Sequence, residues 1–339
     1  MSPDLTDLIR PDALGPALAA ATEDDRWHIF TWELVTGGKS NLTFFLRSSA
    51  GELVLRRPPS GKLLPKAHDM RREARVQLAL AGSDVPVPAI VLSDDGDVLG
   101  LPCYVMERVA GDVARDTLPD TYASADSRQA LGHGFVETLA RIHTTAPAAV
   151  GLADYGRPEG FVERQVRLWT GQWQKSLTHE VPEMTELGRR LAARVPAQQR
   201  SSIVHGDYKL DNLVLHPTTP GRIAAVLDWE MSTLGDPLTD LGLLMLYWRG
   251  TEDLPLTLIP PISHLAGMPS REDLLGWYAA LTHIDLAEMD FYQAFAHFKF
   301  AAVAQGVQAR GRAGSAAGQD FGDLDTEIVG LAARGLDLL

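Results

Sequence analysis

The chain has 339 residues, 31 basic against 44 acidic for a net charge of −13 at pH 7, and 45% of them are hydrophobic. That length and composition suit a soluble globular protein of two lobes with a sizeable core, and the acidic balance argues against a nucleic-acid-binding surface or a polybasic membrane anchor. The single cysteine, Cys103, excludes an intramolecular disulfide and a multi-thiolate metal site.

Taken in chain order, the start (Ser2, Pro3, Asp4, Asp7) is no basic-then-apolar leader, and no apolar stretch reaches membrane-spanning length, so a cytoplasmic protein without a membrane partner is expected. Strands are expected over 27–35, 42–46 and 53–56, an antiparallel meander punctuated by Gly37-Gly38-Lys39-Ser40 and Ser48-Ser49-Ala50-Gly51. A helix follows over about 66–80, with Met70, Ala74, Leu78 and Ala81 at helical spacing, and Glu73 beside that stripe calls for a basic partner. Further strand is expected over 85–88 and 98–109, where Cys103 reads as a small buried hydrophobe.

The polar link 107–112 marks a lobe boundary, giving an N-terminal lobe 1–108 and a C-terminal lobe 109–339. Beyond it the periodicity predicts helices over 130–143, 162–175, 185–193, 238–247, 271–281 and 291–304, with Asp236 capping the fourth ahead of Pro237. The segment 311–318 reads as a surface loop. The fold class expected is α+β, an antiparallel sheet with one main helix followed by a mostly helical lobe.

The chemistry concentrates in Ile203-Val204-His205-Gly206-Asp207-Tyr208-Lys209-Leu210-Asp211-Asn212, with Asp228 downstream. Asp207 and Asn212 stand at the interval a kinase catalytic loop uses for its base and a magnesium ligand, and Asp228 falls where a second metal carboxylate is needed. Between them, 213–215 and 223–227 read as the two strands of a hairpin, whose geometry would return Asn212 and Asp228 to one cation. Asp207 is assigned the acceptor hydroxyl and its proton, Lys209 the charge of the transferred group, and His205 the bracing of the loop.

For the nucleotide, the first lobe offers Ser40 and Asn41 at the glycine turn and Arg56 at the end of a strand, in position to pair with Glu73. The backbone of Glu107 and Val109 is placed for an adenine edge. The plainer reading of Arg56 is a surface arginine beside Arg57. Trp169 and Trp173 suit either core packing or an acceptor pocket, and His143 reads as a packed histidine.

These residues carry a resemblance. His205-Gly206-Asp207 with Asn212, Leu227-Asp228-Trp229-Glu230, and Gly235-Asp236-Pro237 with Asp240-Leu241 resemble the aminoglycoside phosphotransferase and choline kinase-like family, of protein-kinase-like bilobal fold. The resemblance implies ATP and Mg2+ as cofactors, Asp207 as catalytic base, Asn212 and Asp228 as magnesium ligands, and Asp236 and Asp240 as structural supports.

A narrower likeness is to the kinase-like domains associated with acyl-CoA dehydrogenases. It rests on the stretches 38–44, 54–59 and 63–68 and on Arg164, Gln165, Trp169 and Gln172. It implies a small-molecule hydroxyl acceptor of hydroxyacyl-CoA type, with any acyl-CoA dehydrogenase partner on a separate chain. Arg56 stands where most kinases use lysine, and the glycine turn lacks the full G-x-G-x-x-G pattern; an arginine still carries the charge and can fork across two oxygens. Two other readings stay open: an aminoglycoside antibiotic phosphotransferase, and a non-catalytic nucleotide-binding pseudokinase. A protein kinase is disfavoured because no activation loop ending in Ala-Pro-Glu lies between Asp228 and Asp236.

Overall fold

The computed structural model describes residues 5–35, 41–59, 69–312 and 322–339. The chain divides into two compact units, 1–111 with 224–232, and 112–223 with 233–339.

The first unit opens with helices α1 (Leu5–Ile9) and α2 (Pro11–Thr22), then builds strands β1 (Thr31–Leu34), β2 (Leu42–Ser48) and β3 (Gly51–Arg57), helix α3 (Met70–Leu80), and strands β4 (Ile90–Asp94) and β5 (Cys103–Glu107). The strands form one antiparallel sheet in the order β1-β2-β3-β5-β4. Leu53 and Leu55 of β3 point into a cluster with Leu8, Ile9, Leu14, Leu18 and Trp27, whereas Val54 packs with Met70, Ala74, Tyr104 and Met106. Both faces of β3 are therefore covered, which is why the strand reads as an apolar run rather than an alternation. The two-residue period then puts Arg56 on the α3 face with Val54, and Arg57 on the other face, where it donates to the Leu8 and Pro58 carbonyls.

Several local expectations change. Trp27 lies in a short 3-10 turn, 25–28, because the Asp24 side chain accepts from Arg26 N–H and closes it. Helix α3 starts at Met70 because Asp69 caps it, accepting from Arg72 N–H, and its buried stripe is Met70, Glu73, Ala74, Gln77 and Leu80; Leu78 is 50% exposed. Residues 85–88 form no strand: Pro86 and Pro88 lack the N–H a ladder needs, and Pro86 C=O instead accepts from Val226 N–H at 2.8 Å. Cys103 is buried as expected, with burial pushing its thiol up to about 12. The glycine turn 36–40 and the stretch 60–68 lie outside the described residues.

The second unit is mostly helical: α4 (Ala125–Thr144), α5 (Phe161–Ser176), α6 (Pro182–Ala193), α7 (Leu238–Tyr247), α8 (Arg271–Thr282), α9 (Met289–Arg312) and α10 (Asp325–Asp337). Each expected helix is present, and α10 was not expected. Between α6 and α7 run the short strands β6 (Ser202–Val204), β7 (Leu213–Leu215) and β9 (Thr233–Gly235), with β6 paired antiparallel to β9, while β8 (Ile223–Val226) lies almost wholly in the 224–232 segment of the first unit. The 216–222 turn is closed by His216 N–H donating to Arg222 C=O at 3.0 Å. Helices α7 and α9 approach closely at Gly242, where a Cβ would meet the Tyr292 carbonyl. That contact sets the two helices carrying Asp240, Tyr247, Lys299 and Phe300 side by side. Among the described residues no helix is long and apolar enough to cross a membrane.

Candidate active site

In the first unit, Arg56 and Glu73 meet as the sequence predicts. The Nη2 of Arg56 lies 3.0 Å from Glu73 Oε1 and 3.1 Å from Asp228 Oδ1. Neither arginine is a surface residue, which removes the plainer reading of Arg56: its side chain is 12% exposed and that of Glu73 is fully buried. Burial works against the Arg56 charge, yet Glu73, Tyr104, Asp228 and Glu230 together raise its pKa. One guanidinium shared among these acidic groups cannot neutralise them all. Glu73 is accordingly pushed up by burial, with Arg56 opposing and Asp228 adding to the rise.

Arg56 Nε is buried without a hydrogen-bond partner among the described residues, so this polar cluster is incompletely satisfied as it stands. Asp228 holds a left-handed backbone, φ 61°, at the start of a 3-10 turn whose Trp229 is fully buried. Asn41 is buried and donates to Glu230 at 3.2 Å. Glu107 ends β5 with its N–H committed to Ala89, while among the described residues no backbone group partners the Val109 N–H or C=O. Ser40 lies outside the described residues.

In the second unit, the loop 205–212 is tied down from below. Asp240, on the first turn of α7, accepts from His205 N–H at 2.6 Å, Gly206 N–H at 2.8 Å and His143 Nε2 at 3.2 Å. The other ring nitrogen of His143 meets the Tyr278 hydroxyl at 2.7 Å. Burial alone would raise the Asp240 pKa, but His143 and the loop amide of His205 hold its carboxyl below the ordinary 3.8. Gly206 sits at φ 83°, a conformation that strains any residue with a Cβ. Lys299 from α9 donates to the Gly206 carbonyl at 2.8 Å, and His205 Nδ1 accepts from Asp207 N–H at 3.3 Å, the bracing role expected of it.

These ties present Asp207 with both carboxylate oxygens engaged. Lys209 Nζ donates to Oδ2 at 2.9 Å, Asn212 Nδ2 donates to the same oxygen at 3.2 Å and to the Asp207 carbonyl at 2.9 Å, and Tyr247 OH donates to Oδ1 at 2.8 Å. With both Asn212 amide hydrogens directed at Asp207, its carbonyl oxygen is the group available to a cation. Among the described residues no group of three or more His, Cys, Asp or Glu side chains forms a ready metal cage. Asn212 in the second unit and Asp228 in the first each offer oxygen donors, an amide and a carboxylate, without sulfur or imidazole, the hard donor type that Mg2+ takes. The residues present therefore fit that ion.

Beside this loop lies a small, partly open chamber of about 50 Å3. Phe135, Trp248, Ile259, Ile262 and Phe300 supply its apolar walls, and Lys209, Asp211 and Tyr247 its polar side. The wall segment 254–263 is shaped by Arg249, which donates to the Leu254 and Ile259 carbonyls at 2.7 and 3.3 Å, while Thr257 is held by Glu327 of α10. Trp173 is buried, and neither it nor Trp169 lines this chamber; the ring of Trp169 lies under the Lys299 ammonium at 5.4 Å. Tyr247, Lys299 and the chamber wall went unanticipated. The two side chains reach the loop from 40 and 93 residues away in sequence.

The family model described as the phosphotransferase enzyme family matches residues 31–293. The chain belongs to that family. Acyl-CoA dehydrogenase family member 11 of Homo sapiens is 38% identical over 306 residues, covering 89% of this chain and 39% of its own length. The chain thus spans about two fifths of that longer relative. A crystal structure from Ralstonia eutropha, provisionally assigned as an aminoglycoside phosphotransferase, superposes with a TM-score of 0.79 at 34% identity, covering 91% of this chain and 92% of its own. A thermostable aminoglycoside phosphotransferase APH(4)-Ia mutant in complex with ADP and hygromycin B gives a TM-score of 0.61 at 14% identity, over 96% of this chain and 98% of that one, which shows the shared fold. The expected α+β, kinase-like fold and the expected small-molecule phosphotransferase class are both met at the level of this phosphotransferase family.

Proposed function

We propose that this phosphotransferase moves the γ-phosphoryl group of ATP, with Mg2+, to a hydroxyl carried on a small molecule with an apolar chain, of hydroxyacyl-CoA type. One observation carries the reading. Lys209 and Tyr247, two of the three side chains that donate to the Asp207 carboxylate, also line, with Asp211, the polar side of a mostly apolar chamber.

In this reading the acceptor's chain fills the chamber and its hydroxyl reaches Asp207, which is 29% exposed and so accessible. Asp207 orients the hydroxyl and takes its proton as the acceptor oxygen bonds to the γ-phosphorus; the bond from that phosphorus to the β-γ bridging oxygen breaks, and ADP leaves. Lys209 offsets the charge on the transferring oxygens. Asn212 and Asp228 would hold Mg2+, which supplies charge neutralisation at the phosphates. Arg56, oriented by Glu73, would contact phosphate oxygens with Ser40 and Asn41, while Glu107 and Val109 present backbone groups to adenine. On this account 1–108 forms the nucleotide lobe and 109–339 the acceptor lobe of a cytoplasmic enzyme, with any acyl-CoA dehydrogenase acting as a separate partner.

A polycationic aminoglycoside suits the chamber poorly. Asp211 is the one carboxylate among its described lining residues, and it lies 3.7 Å from the Lys209 ammonium. ADP release measured over hydroxyacyl-CoA esters of increasing chain length and over a panel of aminoglycosides tests the reading. Turnover is expected with the former alone. Ile259→Trp, which fills the chamber, is expected to raise the acceptor KM about tenfold, as overpacking by ~1.4 kcal/mol would, with the ATP KM unchanged. Efficient turnover of aminoglycosides, with none of the acyl esters used, overturns the acceptor assignment.

A further inference from the structure

Tyr247 has no place in the motif, yet it closes the hydrogen-bond shell of Asp207. Oδ2 accepts from two donors, Lys209 and Asn212; among the described residues Oδ1 accepts from Tyr247 alone and keeps one lone pair. The phenol is itself held in place. It ends helix α7, its ring meets Phe300 edge-on with centroids 6.0 Å apart at 80°, and the Lys209 ammonium stands 5.9 Å above the ring. Tyr247 and Lys209, both bonded to the Asp207 carboxylate, also line the chamber assigned to the acceptor.

We propose that Tyr247 is a positioning residue. Its hydroxyl fixes the Asp207 carboxylate so that the remaining lone pair on Oδ1 is the seat of the acceptor hydroxyl, which enters alongside the phenol rather than displacing it. This inference rests on the reading of Asp207 as the acceptor-side base and adds the direction from which the hydroxyl arrives. The same placement gives Tyr247 its chemistry as a donor: burial, and then the neighbouring Asp207 charge, hold its pKa well above the ordinary phenol value, so it stays protonated and donating.

Tyr247→Phe is the direct test, since the ring contacts with Phe300 and Lys209 are kept and only the donor is lost. The expected result is a fall in kcat of about 10- to 100-fold, the size of effect that misplacing a catalytic group produces. The KM values for acceptor and ATP should stay within about threefold, because the loss is confined to the transition state. A crystal structure of the variant should show the Asp207 carboxylate rotated or spread over two orientations.

An unchanged or increased kcat would overturn the proposal, an increase meaning that the phenol competes with the acceptor. So would a loss confined to KM, or an Asp207 carboxylate that keeps its single orientation in the variant. The crystallographic comparison needs no acceptor, so it bears on Tyr247 even if the acceptor class is wrong. If wild-type protein transfers phosphate to no hydroxyl, the reading of the site fails; if it transfers normally and Tyr247→Phe matches it, only this inference fails.

Discussion

Replacing Asp207 by alanine should lower kcat for phosphate transfer by about 10^2- to 10^4-fold, the range over which a positioned general base contributes. The ATP KM should barely move, because Asp207 is assigned to the acceptor rather than to the nucleotide. The geometry adds a sharper expectation. Lys209 Nζ is 2.9 Å from the same carboxylate, so removing Asp207 also releases the lysine from its position. The double variant with Lys209→Ala should therefore be far less impaired than the product of the two single losses, the mark of residues acting as one unit. Steady-state kinetics of the two single variants and the double variant measure this directly. Fully multiplicative losses would mean the pair acts independently, against the arrangement described.

The second large effect concerns stability. Asp240→Asn replaces an acceptor of three hydrogen bonds with a group that must turn an N–H₂ toward one of the donors His205 N–H, Gly206 N–H or His143 Nε2. Because the site is fully buried, the mismatch cannot be solvated, and breaking such a network costs about 3–5 kcal/mol. A fall in Tm of about 5–10 °C is expected at pH 7.

The sign of the pH dependence follows from the depressed carboxyl. Asp240 is held below 3.8 when folded, so its contribution is fully present above the unfolded value and is lost as pH falls through the folded one. The gap in Tm between wild type and Asp240→Asn should hold from pH 7 down to about pH 4 and narrow below it. Calorimetry across that range tests the expectation. An Asp240→Asn protein as stable as wild type at pH 7 would show that the loop is anchored elsewhere.

Much of the site could be read from local spacing. Asp207, Lys209 and Asn212 lie within six residues of each other, and Arg56 and Glu73 follow from one strand and one helix, so short-range periodicity was enough to group them. Tyr247 and Lys299 were invisible for the opposite reason. Each sits in a helix whose apolar pattern reads as core, and only the packing of α7 against α9 brings them to the loop.

The same limit applies to the fold. Helices α1 and α2 were missed because Pro11 and Pro16 punctuate them, although Pro11 merely occupies the first helical position, where its missing N–H costs nothing. Strands β6 and β9 are three residues each, too short to show a period. Leu78 was assigned to the buried stripe because it is apolar, whereas the face of α3 is set by Glu73 and Gln77, polar residues that turn inward to pair with Arg56 and Tyr104. In each case the deciding partner comes from a distant part of the chain.

Phosphorus NMR of wild-type protein with ATP, Mg2+ and a hydroxyacyl-CoA long enough to fill the chamber tests the central claim most directly. A phosphate monoester resonance growing in step with ADP, absent when Asp207→Ala replaces wild type, is the predicted result. ATP converted only to ADP and inorganic phosphate, or an ester that forms equally with Asp207→Ala, would contradict it.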